Sequence, residues 1–386
     1  MLSPGDSASA PTPHRAYDRL MVGWSVHAWD VSPREAMRLQ RELAPRVVRD
    51  GEPRAEDVGL IAGCDVAFDR PNRRGAGAVV VCAYPSLEVV EEATVEAPVR
   101  FPYVPGLLSF RETPVLLEAF ARLRASPDLV MVDGHGYAHP RRFGYACHLG
   151  LLLDVPTMGV AKSRLVGAHG TLGEARGSRT DLVDADEVVG ALLRTRERVR
   201  PIYVSVGHRL SLAAAERWAL ACATRYRLPE PARLADALSR ITKRRMLEGT
   251  LEMIVEQRAG EQGRWEWVAE DDAVVFRHDL DPMPAHYGCS VELLNPADGE
   301  WLDVMLVDPE ERERGERLAV RVLDVLERAD GDDKLLAVAA DATPPPLDGV
   351  RERIWRWYVA QEKPVTRWGG EEAALALMRA CRDGAM

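Results

Sequence analysis

The chain has 386 residues, 46% hydrophobic and 28% charged, which is enough apolar content for more than one core and argues against global disorder. Its net charge of −10 is uneven: residues 1–245 hold 34 basic against 29 acidic side chains (+5), and residues 246–386 hold 16 against 31 (−15). No run approaches eighteen apolar residues, which excludes a membrane span, and six cysteines without CxxC spacing read as reduced thiols of a cytoplasmic protein rather than disulfides or a zinc site. The basic part suits a polyanion and the acidic part suits metal cations. Basic residues are almost all arginine, so Lys162, Lys243, Lys334 and Lys363 mark places that want a compact point charge.

Residues 1–31 read as a flexible tail, rich in Ser, Ala, Pro and Gly up to residue 16. Asp6 and the lack of an apolar stretch there argue against a secretory signal. Ser32-Pro33-Arg34-Glu35 is a capping box with proline at the first helical position. It opens a helix to about Val48, with Ala36, Leu39, Leu43 and Val47 on one face. Strands follow over residues 60–68, 75–84 and 87–97 as an antiparallel meander, and Asp65 lies inside the first. Phe101-Pro102-Tyr103-Val104-Pro105-Gly106 is an aromatic loop stiffened by two prolines, leading into a helix from Ser109 to about Arg124.

Leu129–Val132 is a short apolar run that reads as a buried strand ending on Asp133. Gly134 and Gly136 let the backbone turn and approach a ligand closely, and His135, His139, Arg141 and Arg142 crowd in directly after. A helix over about 143–152 precedes a buried strand, 156–161, that stops at Lys162. Residues 166–186 read as a Gly- and Asp-rich loop, and 201–206 as a strand ending in Gly207-His208-Arg209. Ser211 caps a helix to about Tyr226, and a short helix runs to about Ile241.

Three antiparallel strands, then strands separated by helices, is the order of an α/β, ribonuclease H-like domain with a mixed sheet, assigned to residues 32–243. Residues 244–386 have another texture and read as a small OB-like β-barrel domain with C-terminal helices. There, 251–256 and 264–268 are expected to pair, and 318–326 and 334–340 to frame an acidic loop.

Asp65, Glu112 and Asp133 are three carboxylates away from ordinary helix surfaces. A buried carboxylate needs a cation. One arginine would satisfy Asp65 alone, but three acids on neighbouring elements favour a hard divalent ion such as Mg²⁺, with Mn²⁺ as its substitute. Lys162, at a strand end, is placed to hold a phosphate, and His208 to bind metal or move a proton.

These residues lie in a longer series: Gly-Cys-Asp65-Val, Tyr84-Pro85-Ser86-Leu87, Tyr103-Val-Pro-Gly-Leu-Leu-Ser-Phe-Arg-Glu112, Val-Asp133-Gly134-His-Gly136, His139-Pro-Arg141-Arg142, Gly-Val-Ala-Lys162 and Gly-His208-Arg. Over residues 33–238 the chain resembles endonuclease V. The resemblance implies a Mg²⁺-dependent DNA-repair nuclease acting on deoxyinosine and cutting the second phosphodiester bond on its 3′ side. It implies Asp65, Glu112, Asp133 and His208 as the metal and catalytic set, Lys162 as the active-site lysine, and Tyr103 as the wedge that enters the helix. Gly134 and Gly136 would leave room for the displaced base, with His139 and Arg141 beside it. An inosine-specific ribonuclease is the alternative, as is a protein that only binds the lesion.

Residues 251–380 are similar, more distantly, to soluble inorganic pyrophosphatase, through Arg264-Trp-Glu266-Trp, His286-Tyr287-Gly, Asp298 to Asp303-Val, Gly331-Asp332-Asp333-Lys334 and Tyr358. That implies Glu256, Glu266, Asp298, Asp303, Asp332 and Lys334 as metal or phosphate groups, with Arg264 in place of a lysine and Tyr287 and Tyr358 on the phosphate side. Diphosphate would be the ligand. Glu300 and Glu327 stand where the pattern has Asp, and Val359 stands where it has a lysine. An inactive metal- or phosphate-binding barrel is the alternative for this part.

Overall fold

The computed structural model describes residues 26–69, 73–295, 297 and 299–384. The chain divides into two compact units, residues 1–68 with 75–242 and residues 69–74 with 243–386. Most of the expected N-terminal tail lies outside the described residues. Its last part is not a loose tail: Val26 and Trp29 pack on the core, and His27 Nε2 is 2.8 Å from His148 Nε2.

The first unit is a mixed α/β structure built on a nine-stranded sheet. Helix α1 (Pro33–Leu43) starts where Ser32 accepts a hydrogen bond from Glu35 N. It stops short of Val48 because Pro45 has no N–H to continue it, and Ala44–Arg46 tightens into a 3₁₀ turn. The sheet contains β1 (Leu60–Asp69), β2 (Arg74–Ala83), β3 (Val89–Pro98), β4 (Leu129–Val132) and β5 (Thr157–Ala161). It continues with β6 (Ala168–His169), β7 (Arg179–Asp184), β8 (Glu187–Leu193) and β9 (Ile202–His208). The strand order is β3-β2-β1-β4-β5-β9-β8-β7-β6.

The strand β4 is buried on both faces, which explains its unbroken apolar sequence. Val130 and Val132 join one core with Leu116 of α2 (Leu108–Ala121) and Leu149 of α3 (Tyr145–Leu153). Leu129 and Met131 join the other, with Trp218 of α4 (Leu212–Cys222) and Ala232 of α5 (Glu230–Glu248). Ser211 caps α4 as expected, accepting from Ala214 N at 3.0 Å.

Two expectations fail in this unit. Residues 166–186 are not one loop, since they hold β6 and β7. The strand β7 pairs antiparallel with β8 through the two-residue turn Ala185-Asp186, with φ 50° and 64°. Both are left-handed, the conformation of a type I′ hairpin turn. The last helix, α5, runs on to Glu248 instead of ending near Ile241.

In the second unit, β10 (Thr250–Gln257), β13 (His286–Leu294), β14 (Trp301–Leu306), β16 (Lys334–Ala339) and β15 (Arg317–Arg328) pair in that order, and β10 also pairs with β15. The ring therefore closes into a five-stranded barrel, which removes its open edges. Its interior joins Val304, Val322 and Leu335 to Ala374 and Met378 of α7 (Gly370–Gly384). The hairpin β15–β16 is the pair expected to frame the acidic loop. The expected pairing of 251–256 with 264–268 does not occur. Instead β11 (Arg264–Val268) pairs with β12 (Ala273–His278), because β10 has both edges taken by barrel neighbours. Helix α6 (Leu347–Ala360) and β17 (Val365–Trp368) complete the unit. Among the described residues no helix is long and apolar enough to cross a membrane.

Candidate active site

The strands β1, β4 and β5 run parallel, with Cys64 opposite Val132 and Val132 opposite Gly159. The C-terminal ends of β4 and β5 open beside the middle of β1, which runs on to Asp69, and α/β sheets bind ligands at such strand ends. Asp65 follows Cys64, Asp133 follows Val132, and Lys162 follows the end of β5. A fourth group arrives from α5. A Cβ at Gly63 would lie 2.0 Å from Pro231 O, so only glycine lets this helix descend onto β1. Gly63 and Asp65, two residues apart, share that face. Further along α5, Ser239 Oγ donates to Asp65 Oδ2 at 2.6 Å.

Asp236, one turn before Ser239, completes the cluster. One carboxylate oxygen from each of Asp65, Asp133 and Asp236 lies within 4.8 Å of the other two. Lys162 Nζ is 2.9 Å from Asp236 Oδ1 and also pairs with Asp133. Burial pushes Asp65 above the usual carboxylate range; Ser239 opposes this, while Asp133 and Asp236 add to it. Burial likewise raises Asp133, against the pull of Lys162. Burial works against the charge on Lys162, but Asp133 and Asp236 more than reverse it. Three crowded acids share one ammonium, and every donor is a hard oxygen. That donor set fits a divalent cation of the Mg²⁺ or Mn²⁺ type.

Nothing in the sequence singles out Asp236. Its spacing of four from Arg240, which it pairs with at 3.0 Å, reads as an ordinary surface helix pair. Glu112 is buried beside the cluster and not in it: burial, then the Asp65 carboxylate, hold it well above the usual range. His208 is elsewhere. Because β9 runs antiparallel to β5, His208 sits opposite Thr157. At about 3.3 Å per residue, it is roughly 16 Å along the strand from the Lys162 end. Its Nδ1 accepts from Val48 N at 3.3 Å, and its Nε2 is 3.6 Å from Asp154. His208 therefore does not join the acids, contrary to expectation.

Beside the cluster, a pocket of about 180 Å³ is lined by Tyr103, Gly106, Gly134, His135, His139 and Tyr145, among others. Tyr103 is 68% exposed at its rim. The loop behind Tyr103 turns at Val104–Leu107, with Pro105 and then Gly106 at φ 78°, a type II arrangement. The Gly106 carbonyl accepts from Gln40 Nε2 (3.0 Å), His139 Nε2 (2.9 Å) and Arg141 Nη2 (2.8 Å). His139 Nδ1 accepts from Arg141 N at 3.1 Å, so its hydrogen sits on Nε2. Burial brings His139 down to about 4, which keeps the ring neutral.

Arg141 is thus a buttress of the loop rather than a wall of the pocket. Gly136 does not line the pocket either, contrary to expectation. Its N–H donates to Ser205 Oγ at 2.8 Å, and a Cβ there would lie 1.9 Å from Val206 O. It is glycine to admit β9, not to admit a base.

In the second unit the expected residues separate into a first set that gathers around Asp303 and a second, Glu266 and Glu327, paired elsewhere. Lys334 Nζ pairs with both Asp303 and Asp332. The Arg264 guanidinium lies 4.6 Å from the Tyr287 ring centre and 3.8 Å from Glu256 Oε2. Glu256 also accepts from Trp267 N at 2.7 Å, and burial raises it to about 7. Tyr287 and Tyr358 are both buried. Glu266 instead pairs with Arg277 on the β11–β12 hairpin, and Glu327 with Arg367 across to β17. Glu300 is exposed in the turn before β14, and Asp298 lies outside the described residues. Arg328, not singled out from the sequence, joins the first set through Asp332, at 2.5 Å.

Residues 41–237 match the family model described as Endonuclease V. An endonuclease V of Gloeobacter violaceus is 53% identical over 223 residues, covering 57% of this chain and 90% of that one. The crystal structure of endonuclease V from Streptomyces avermitilis is 43% identical, with TM-score 0.55, over 56% of this chain and 95% of that one. Endonuclease V of Ciona intestinalis, solved with a 24mer DNA containing an inosine followed by a ribo-adenosine, is 29% identical, with TM-score 0.50, over 55% and 98%.

Proposed function

The chain belongs to the endonuclease V family, and on that footing we propose that its first unit is a Mg²⁺-dependent repair nuclease. Its substrate would be deoxyinosine in DNA, and it would cut the second phosphodiester bond on the 3′ side of the lesion. The observation that carries this reading is the convergence of Asp65, Asp133 and Asp236 at one strand edge, beside a pocket rimmed by Tyr103.

These acids would hold the ion, with Glu112 behind them. When bound, a divalent ion supplies Lewis acidity toward a phosphodiester oxygen and the attacking water. The chain's own residues do the rest. Tyr103 stands free to fill the space left by a displaced base, which is cheapest to extrude where pairing is weak. Gly134 leaves backbone bare at the pocket wall, and neutral His139 holds the loop without bringing charge to the base. Lys162, which pairs with Asp133 and Asp236, would steady the charge on the reacting phosphate.

Asp133→Ala should abolish cleavage of inosine-containing DNA in Mg²⁺ while leaving lesion binding measurable by gel shift. Cutting at the native rate would refute the site. Running inosine-containing RNA beside the DNA assigns the preferred strand.

For the second unit, the reading with most support is a diphosphate site on the barrel. Lys334 pairs there with Asp303 and Asp332, and the Asp303 carboxylate acts on Arg264 and on buried Tyr287 and Tyr358 around it. The full chain should release phosphate from inorganic diphosphate in Mg²⁺, measured colorimetrically. Absence of release would leave no diphosphatase.

A further inference from the structure

Helix α6 ends in a way that returns the chain to Tyr358. Glu362 N donates to Val359 O and Lys363 N to Tyr358 O, both at 3.1 Å, and Glu362 is left-handed at φ 55°. This paired 5→2 and 6→1 closure is the Schellman motif. It folds Lys363 back over the helix end, and Pro364 then stops any continuation. Lys363 Nζ comes to 5.7 Å from the Tyr358 ring centre and 5.3 Å from that of Trp357. The Arg328 guanidinium stands 5.9 Å from the same tyrosine ring.

The cations here differ in how they are matched. Arg328 is held by Asp330 and Asp332, Lys334 by Asp303 and Asp332, and Arg264 faces Glu256. Among the described residues, Lys363 has no ion pair and rests only on the two rings. A half-buried ammonium facing other cations without its own carboxylate is a place prepared for an anion.

We infer that Lys363 is a phosphate-binding residue of the second unit, acting with Arg328 on the Tyr358 side of the site while Arg264 serves the Tyr287 side. This rests on the diphosphate reading of that unit. Burial and the neighbouring Arg328, Lys334 and Arg264 hold Lys363 below the usual ammonium range, against the weaker pull of Asp303, which Lys334 already holds. A bound anion would relieve that repulsion.

The test is isothermal titration of the full-length chain, and of its Lys363→Gln and Lys363→Arg variants, with inorganic diphosphate and Mg²⁺. Lys363→Gln should weaken binding about tenfold or more, the loss of one charge-assisted contact, and Lys363→Arg should restore most of it. Equal binding by Lys363→Gln and the parent chain would overturn the role of Lys363 and leave the diphosphate reading standing. No binding by the parent chain would overturn the diphosphate reading itself. Thermal unfolding of each variant excludes loss of fold as the cause, and Lys363→Ala replaces any variant that fails it.

Discussion

Asp236→Ala is expected to lower inosine-directed cleavage roughly 10³-fold, since losing a ligand to a shared cation costs several kcal/mol and each 1.4 kcal/mol is about tenfold. His208→Ala is expected to leave the rate essentially unchanged. The contrast follows from strand direction. Asp236 meets Asp65 and Asp133 within 4.8 Å, at the C-terminal ends of β4 and β5 and beside the middle of β1. His208 lies at the other end of β5, opposite Thr157. Single-turnover cleavage of an inosine-containing duplex measures both. An inactive His208→Ala beside an active Asp236→Ala would move the centre to the wrong end of the sheet. Burial raises both Asp65 and Asp133, so the parent enzyme should also lose activity on the acid side sooner than ordinary carboxylates would dictate. Protonated acids cannot serve a cation, so protons compete with the ion for them and the loss deepens as pH falls.

Gly136→Ala is expected to destabilise the nuclease unit by about 3 kcal/mol, read as a lower urea midpoint of the full chain. A Cβ would lie 1.9 Å from Val206 O and 3.2 Å from Gly207 N, both backbone atoms of β9 that cannot rotate away. Gly134→Ala should behave differently. Its nearest obstacle is Tyr145 Cδ1 at 3.2 Å, so the fold should survive while the pocket narrows. If Gly136→Ala folded normally and lost only lesion affinity, Gly136 would be a base contact after all.

Much of this was legible in the sequence. The run Leu129–Val132 announced a strand buried on both faces, and the structure gives it those bounds. Asp65 and Asp133 stood out because each follows apolar strand residues. What failed to read out had physical causes. Strand direction leaves no mark in composition, so the turn after β9 looked like another strand end facing the acids. Asp236 was hidden by a helix pattern that Arg240 explains equally well. The β7–β8 hairpin was missed because Ala185 and Asp186 adopt left-handed conformations without a glycine to signal them. In the second unit, Arg328 gave no sign because its partners Asp330 and Asp332 make it resemble a local loop pair.

The Gly106 carbonyl, held by Gln40, His139 and Arg141 together, has a bearing on how this loop tolerates change. A carbonyl oxygen has only two lone pairs, so three donors compete for them and none is indispensable. Support for the tyrosine tip is therefore redundant. Variation at any one of the three positions is buffered by the other two, and the second loss exposes what the first concealed. Epistasis is thus built into this loop, and single-substitution scans will underrate each of its anchors.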